Sequence, residues 1–185
     1  MTHVETSLRF VDALSSCSQM TNVVELGSGG GIPGFVVAAA ISSCRLTCIE
    51  SDERRVDHLW WAVHHLKLAD RIVVIHARAE AAAHDDKLRG VFDACIARSF
   101  APLPIAVEVA CGFLRVGGHA FVSVPQDDRS VVIRAQPLET VGLKEVRDLD
   151  GLFHGIQQML PRERYPRTEK QSRRHPLWHV SRETL

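Results

Sequence analysis

Apolar residues along this chain keep two rhythms, and the two alternate. Short apolar runs at Asn22 to Leu26, Arg45 to Ile49, Arg71 to Ile75, Val91 to Ile96 and His119 to Val124 read as strands. Between them apolar positions recur at helical spacing. Val4, Leu8, Val11 and Leu14 place a short helix ahead of the first strand, and Val56, Leu59, Val63 and Leu66 give one face of a charged helix from Asp52 to Leu66. A further helix runs from Pro104 to Leu114, until Gly117-Gly118 turns the chain into the fifth strand. The third strand is β-branched enough to be expected buried. Past Val124 the rhythm weakens: Val131 to Ala135 fits a helix stopped by Pro137, while Val141 to Val146 and Gly155 to Leu160 fit an antiparallel pair. The alternation predicts an α/β fold, a doubly wound, mostly parallel sheet with an antiparallel C-terminal strand pair. With 185 residues the chain has room for one domain with a full core, residues 1–20 forming an N-terminal helix and 161–185 a basic C-terminal segment.

The first strand opens into Glu25-Leu26-Gly27-Ser28-Gly29-Gly30-Gly31-Ile32-Pro33-Gly34, with five glycines in the last eight residues, followed by an apolar helix. Strand, tight turn and helix in this order form a ligand-holding arrangement. Glycines at 27, 29 and 31 let the backbone turn sharply and lie against a ligand, and the helix start offers unpaired N–H groups. Gly29, Gly31 and Gly34 also satisfy the dinucleotide pattern G-x-G-x-x-G. Two neighbours favour another ligand. Glu25 would repel a pyrophosphate but suits a cationic or amino-bearing molecule such as S-adenosylmethionine, and Pro33 removes an N–H from any phosphate cradle. Glu50, ending the second strand about twenty residues on, stands where a carboxylate meets the ribose hydroxyls of a nucleoside cofactor. Its alternative role is to cap the next helix, which Ser51 or Asp52 can also do.

Composition narrows the setting. Apolar residues make up 45% of the chain, yet no run approaches the roughly 18 needed to cross a bilayer and the N-terminus lacks a signal pattern, so a cytoplasmic protein away from membranes is expected. The five cysteines form no C-x-x-C pair and read as buried free thiols. His58, His64 and His65 lack the partners and spacing of a ligand set, so no metal is expected. Zero net charge argues against a protein that coats nucleic acid by charge alone. The charge is uneven, however: from Pro161 onward seven Lys/Arg stand against three Asp/Glu. Arg164, Arg167, Arg173 and Arg174 in that stretch either face RNA or form a solvated terminus. Arg98 and Phe100, past the fourth strand, fit an unstacked base beside the glycine turn; otherwise Arg98 pairs with Glu80 or Asp93 and Phe100 belongs to the core. Trp60-Trp61 reads as packing with at least one ring exposed.

Taken together, the glycine motif with Pro33, Glu50-Ser51 with Arg54-Arg55, Arg78-Ala79-Glu80, Phe92-Asp93 with Ala97-Arg98, and Arg164-Tyr165-Pro166-Arg167 with Pro176-Leu177 resemble the ribosomal RNA small subunit methyltransferase G family, also called glucose-inhibited division protein B. The resemblance runs from about His3 to Leu177. It implies a class I, Rossmann-like fold, S-adenosylmethionine as cofactor, and methyl transfer to N7 of a guanine in 16S ribosomal RNA, with the small ribosomal subunit as partner. Carried over by position, Gly27 and Ile32 line the methionine side, Glu50 the ribose, Ala79 and Glu80 the adenine, and Arg98 the mouth near the transferred methyl. The chain departs from the family pattern in four places. An upstream helical segment with an Asn-Leu-Thr element is expected before His3, Ser99 replaces an alanine, Ser123-Val124-Pro125 replaces a Lys-Gly strand end, and Thr168 replaces a glycine after Arg167.

Guanine N7 carries a lone pair and no proton, so the implied reaction needs alignment rather than a general base, and no catalytic dyad is expected. The departures leave two other readings: a methyltransferase of another substrate class, small molecule or protein, and a degenerate member that binds RNA without catalysis.

Overall fold

The computed structural model describes residues 3–17, 20–124, 138–148 and 151–178. Seven strands form one sheet: β1 (Asn22–Leu26), β2 (Arg45–Glu50), β3 (Ile72–His76), β4 (Phe92–Ala97), β5 (Leu114–Ser123), β6 (Leu143–Asp148) and β7 (Leu152–Gln157). Their order is β3-β2-β1-β4-β5-β7-β6; the first five are parallel, while β7 pairs antiparallel with both β5 and β6. The helices are α1 (His3–Ser15), α2 (Gly34–Ala40), α3 (Glu53–His65), α4 (Ala79–Ala82), α5 (Leu103–Phe113) and α6 (Glu169–Arg174). The stretch 131–135, expected helical, lies outside the described residues.

Side chains on the central strands alternate between two cores, as the two-residue period of a strand requires. Val23, Ala94, Ile96 and Phe121 pack with Phe10, Leu14, Val37 and Leu59 of α1, α2 and α3. Val24, Cys95, Ala97, Ala120 and Val122 face α4, α5 and Tyr165. Being covered on both faces, the central strands read as near-continuous apolar runs. The third strand departs from expectation. β3 is an edge strand, and Val73 on it is 52% exposed.

Two other boundaries moved for local reasons. Gly117 and Gly118 lie inside β5, which begins at Leu114, where α5 ends. The pairing of β5 with β4 shifts register between Phe92 and Ala94, and a β-carbon at Gly118 would sit 2.9 Å from the Phe92 carbonyl oxygen. The glycines therefore serve an irregular strand rather than a helix stop. The basic C-terminal segment forms α6 through a capping box: Thr168 Oγ1 accepts from the Gln171 N–H while Gln171 returns to the Thr168 N–H.

α5 is buried along its whole length, including Glu108. A carboxylate there needs a partner, and the tail supplies it. Arg167 Nε and Nη2 reach Glu108 at 2.9 and 2.7 Å, and the Arg167 N–H and Ser172 hydroxyl add bonds at 2.8 and 3.1 Å. Arg89 holds the same segment by donating to the carbonyls of Pro161, Arg162 and Tyr165. At Gly112, where a β-carbon would be 2.8 Å from Pro166, the tail lies directly on α5. Cys44, Cys48, Cys95 and Cys111 are buried free thiols and Cys17 is half-buried. Trp60 and Trp61 both emerge from α3, stacked on His64 and His65 respectively.

Candidate functional site

The carboxyl ends of β1 to β4 open into one cleft of about 260 Å³, the place where parallel α/β sheets hold ligands. Gly27 forms its floor, Glu50 and Ser51 one wall, and Ala79 and Glu80 another, with Phe100 and Ile105 opposite. Arg55, Arg78, Glu169 and Arg173 ring the polar side.

Glu50 organises the cleft. Its Oε2 accepts from Gly29 N–H at 2.8 Å, while Oε1 accepts from Ser51 and Asp52 N–H at 2.8 and 2.9 Å. The expectation that it either caps the next helix or meets a ligand separates into distinct parts. Asp52 caps α3 by accepting from Arg55 N–H, and Glu50 ties the glycine turn to the residues that lead into that helix. A carboxylate has about four acceptor directions. Three go to backbone, which leaves one for a hydroxyl in the cleft. That remaining acceptor fits the ribose of a nucleoside cofactor.

Glu25 has a different place. It is buried and does not line the cleft; its Oε1 accepts from Gly34 N–H at 2.8 Å, bracing the first residue of α2 from beneath the turn. Burial pushes its carboxyl up to about 7, against the hydrogen bond from the Gly34 N–H and the charge of Arg98. Gly34 has no room for a side chain: a β-carbon would run into this carboxylate and lie 2.8 Å from Leu46. Gly29 (φ 56°) and Gly31 (φ 87°) hold the left-handed backbone that the turn requires. They and Ile32 belong to the turn but are not among the residues lining the cleft. The turn therefore approaches the cleft through Gly27.

Arg98, half-buried just past β4, also stands outside the cleft lining, and its charge acts to lower the Glu25 carboxyl. Of the two carboxylates weighed as its partners, Asp93 pairs with Arg115 at 2.7 Å and Glu80 with Arg78 at 3.4 Å. Phe100 lies over the turn, its ring 2.8 Å from where a Gly27 β-carbon would stand, so it covers the cleft and is also partly packed on the core.

The four tail arginines separate. Arg167 is spent on Glu108 inside the molecule, which corrects its placement among the cations facing outward. Arg173 reaches the cleft rim, held by Glu169 at 2.8 Å, and Arg78 makes a second ion pair with Glu169. Arg164 lies exposed across the Tyr165 ring at 4.9 Å, and Arg174 is exposed at the end of α6. Next to the cleft, Arg78, His84, Arg164, Arg167 and Lys170 line a second hollow of about 470 Å³. Sequence reasoning did not place Glu169 and Arg173 at the cleft. The Thr168-x-x-Gln171 spacing was the available signal that a helix begins there.

The profile of GidB, rRNA small subunit methyltransferase G, matches residues 1–130. The ribosomal RNA small subunit methyltransferase G of Rubrobacter xylanophilus is 40% identical over 98 residues, 53% of this chain and 37% of that protein. The one from Caldanaerobacter subterraneus subsp. tengcongensis is 34% identical over 167 residues, 84% of this chain and 69% of that protein. The chain spans less than half the length of some of these relatives, 37% and 44% for those of Rubrobacter and Parasynechococcus marenigrum. Among solved structures, a Staphylococcus aureus protein provisionally described as a caffeoyl-CoA O-methyltransferase aligns with TM-score 0.62 at 13% identity, covering 83% of each chain. Geranyl diphosphate methyltransferase in complex with SAM aligns with TM-score 0.54 at 15% identity, covering 64% of this chain and 48% of that one. These likenesses establish the class I methyltransferase fold.

Proposed function

Because the chain belongs to the rRNA small subunit methyltransferase G (GidB) family, we propose that it transfers a methyl group from S-adenosylmethionine to N7 of a guanine in 16S ribosomal RNA. The observation that carries the reading is Glu50: it fixes the glycine turn against the start of α3 and keeps one acceptor for a ribose in a cleft walled by Ala79 and Glu80. S-adenosylmethionine supplies the activated methyl when bound. The work of the chain is then placement. Gly27 gives close backbone approach on the methionine side, with Gly29, Gly31 and Ile32 shaping the turn. Glu25 braces that turn from below, and Arg98, whose charge acts on Glu25, stands one residue before Ser99 of the cleft lining.

On the RNA side, Phe100 offers a ring at the cleft mouth for an unstacked base. Arg173 at the rim, with exposed Arg164 and Arg174, provides cations for the phosphate backbone. The partner in this reading is the small ribosomal subunit, in the cytoplasm. No helix among the described residues is long and apolar enough to cross a membrane.

The test is transfer of labelled methyl from S-adenosylmethionine to small subunits from cells lacking this protein, with Arg98→Ala as control. Label in 16S RNA that falls in the control is expected. Cofactor binding without label in RNA would direct the search to another substrate class. Absence of cofactor binding would leave an RNA-binding member without catalysis.

A further inference from the structure

Cys17, His119 and His154 come together at the end of the sheet away from the cleft. Cys17 follows α1, His119 lies on β5 where it pairs with Ala94 of β4, and His154 lies on β7 opposite Phe121. Cys17 Sγ is 3.5 Å from His119 Nδ1, and His119 Nδ1 is 2.7 Å from His154 Nε2. Taking one donor atom from each residue, all three lie within 4.8 Å of one another. Two neighbours thus converge on a single imidazole nitrogen. An imidazole nitrogen carries either one in-plane lone pair or one N–H, so Nδ1 can serve only one of them at full strength. A cation among the three atoms would satisfy all of them.

We propose that Cys17, His119 and His154 form a metal site for a borderline-soft divalent ion of the zinc type, which staples the end of α1 to the β5–β7 pair. A tetrahedral zinc with bonds of about 2.3 Å to sulfur and about 2.0 Å to nitrogen sets its sulfur and nitrogen ligands roughly 3.5 Å apart and its two nitrogens roughly 3.3 Å apart. The Cys17–His119 spacing is already that of a ligand pair, and the histidines need to part by only about half an ångström. The Phe121 ring stacks on His154 at 4.6 Å and fixes its plane. A thiolate and two imidazoles select zinc or its neighbours over calcium or magnesium, and water takes the fourth position. None of the three residues lines the cleft, so the site has a structural role, distinct from methyl transfer.

The test uses the full chain, stripped with chelator and titrated with cobalt(II), whose bond to thiolate gives a near-ultraviolet charge-transfer band. The expected result is one equivalent of cobalt bound with that band, displacement by zinc, and a rise in Tm of about 5 to 10 °C when free zinc is a hundredfold above Kd. Half-buried Cys17 allows Cys17→Ser to fold without metal, and this variant should lose the band and the zinc-dependent shift. His119→Gln should weaken zinc binding at least tenfold. Failure of the stripped protein to take up metal, or a charge-transfer band that persists in Cys17→Ser, would overturn the assignment.

Discussion

The Arg167–Glu108 pair gives a sharp prediction, because its two members separate an anchoring role from an RNA-facing one. Glu108 is fully buried and Arg167 mostly so, with side-chain exposures of 0% and 20%. In Arg167→Met the carboxylate keeps the residue 167 N–H and the Ser172 hydroxyl but loses both guanidinium bonds and the only cation paired with it among the described residues. Removing one partner of a buried pair is destabilising by about 3 to 5 kcal/mol, and the partial exposure of Arg167 places this case near 3. For a chain of this size that lowers Tm by about 6 to 12 °C. In Glu108→Gln/Arg167→Met the amide oxygen still accepts from the backbone and from Ser172, and no charge is left stranded, so the loss should shrink to about 1 kcal/mol. Urea unfolding of wild type, both single variants and the double variant measures the cycle. Binding of S-adenosylhomocysteine should follow the same order, because this anchor carries α6, and with it Glu169 and Arg173, to the cleft. Methyl transfer to RNA separates the roles: an anchor implies recovery in the double variant, whereas a phosphate contact would leave transfer impaired. The reasoning is refuted if Arg167→Met lies within about 0.5 kcal/mol of wild type, or if the double variant is no more stable than the single.

Three further outcomes follow from the site. Glu50→Ala strips the acceptor from three backbone N–H groups and should weaken S-adenosylhomocysteine binding by about 10- to 100-fold in calorimetry, the scale of a lost hydrogen bond to a charged group; unchanged affinity would remove Glu50 from the site. Gly27→Ala forces a left-handed residue (φ 63°) and pushes on the Phe100 ring, so stability in urea should fall by at least about 1 to 2 kcal/mol, and Phe100→Ala should relieve only the steric part. Glu25 titrates at about 7 when folded, above its ordinary 4.5, so the folded state holds the extra proton between those values. The contribution of Glu25 to stability is therefore fully present below about 4.5 and is lost as pH rises through about 7, by an amount on the order of 3 kcal/mol. Unfolding of Glu25→Gln at pH 5 and pH 8 should show a flatter profile than wild type, and equal slopes would contradict the buried carboxylate.

The local grammar of the chain determined most of the framework. Two-residue and helical periods fixed the strands and helices, the glycine run fixed the turn after β1, and the interval from that turn to Glu50 fixed which carboxylate stands by the cleft, since all of these depend on residues near one another in sequence. What needed the tertiary structure was partner choice over long separations. A lone Glu108 inside an apolar helix announces a missing cation, but the tail offers seven, and only packing against Gly112 and the grip of Arg89 select Arg167. Glu25 and Glu50 look alike as strand-end carboxylates. One is beneath the turn and one beside it because Glu25 lies within β1 and accepts from Gly34 at the start of α2, whereas Glu50 ends β2 and accepts from Gly29, Ser51 and Asp52. In the same way β3 looked buried by composition, and its exposure follows from sitting at the sheet edge. Cys17, His119 and His154 share no spacing in the chain; strand register and the docking of α1 bring them together, because sheet pairing is set by the whole fold rather than by any segment.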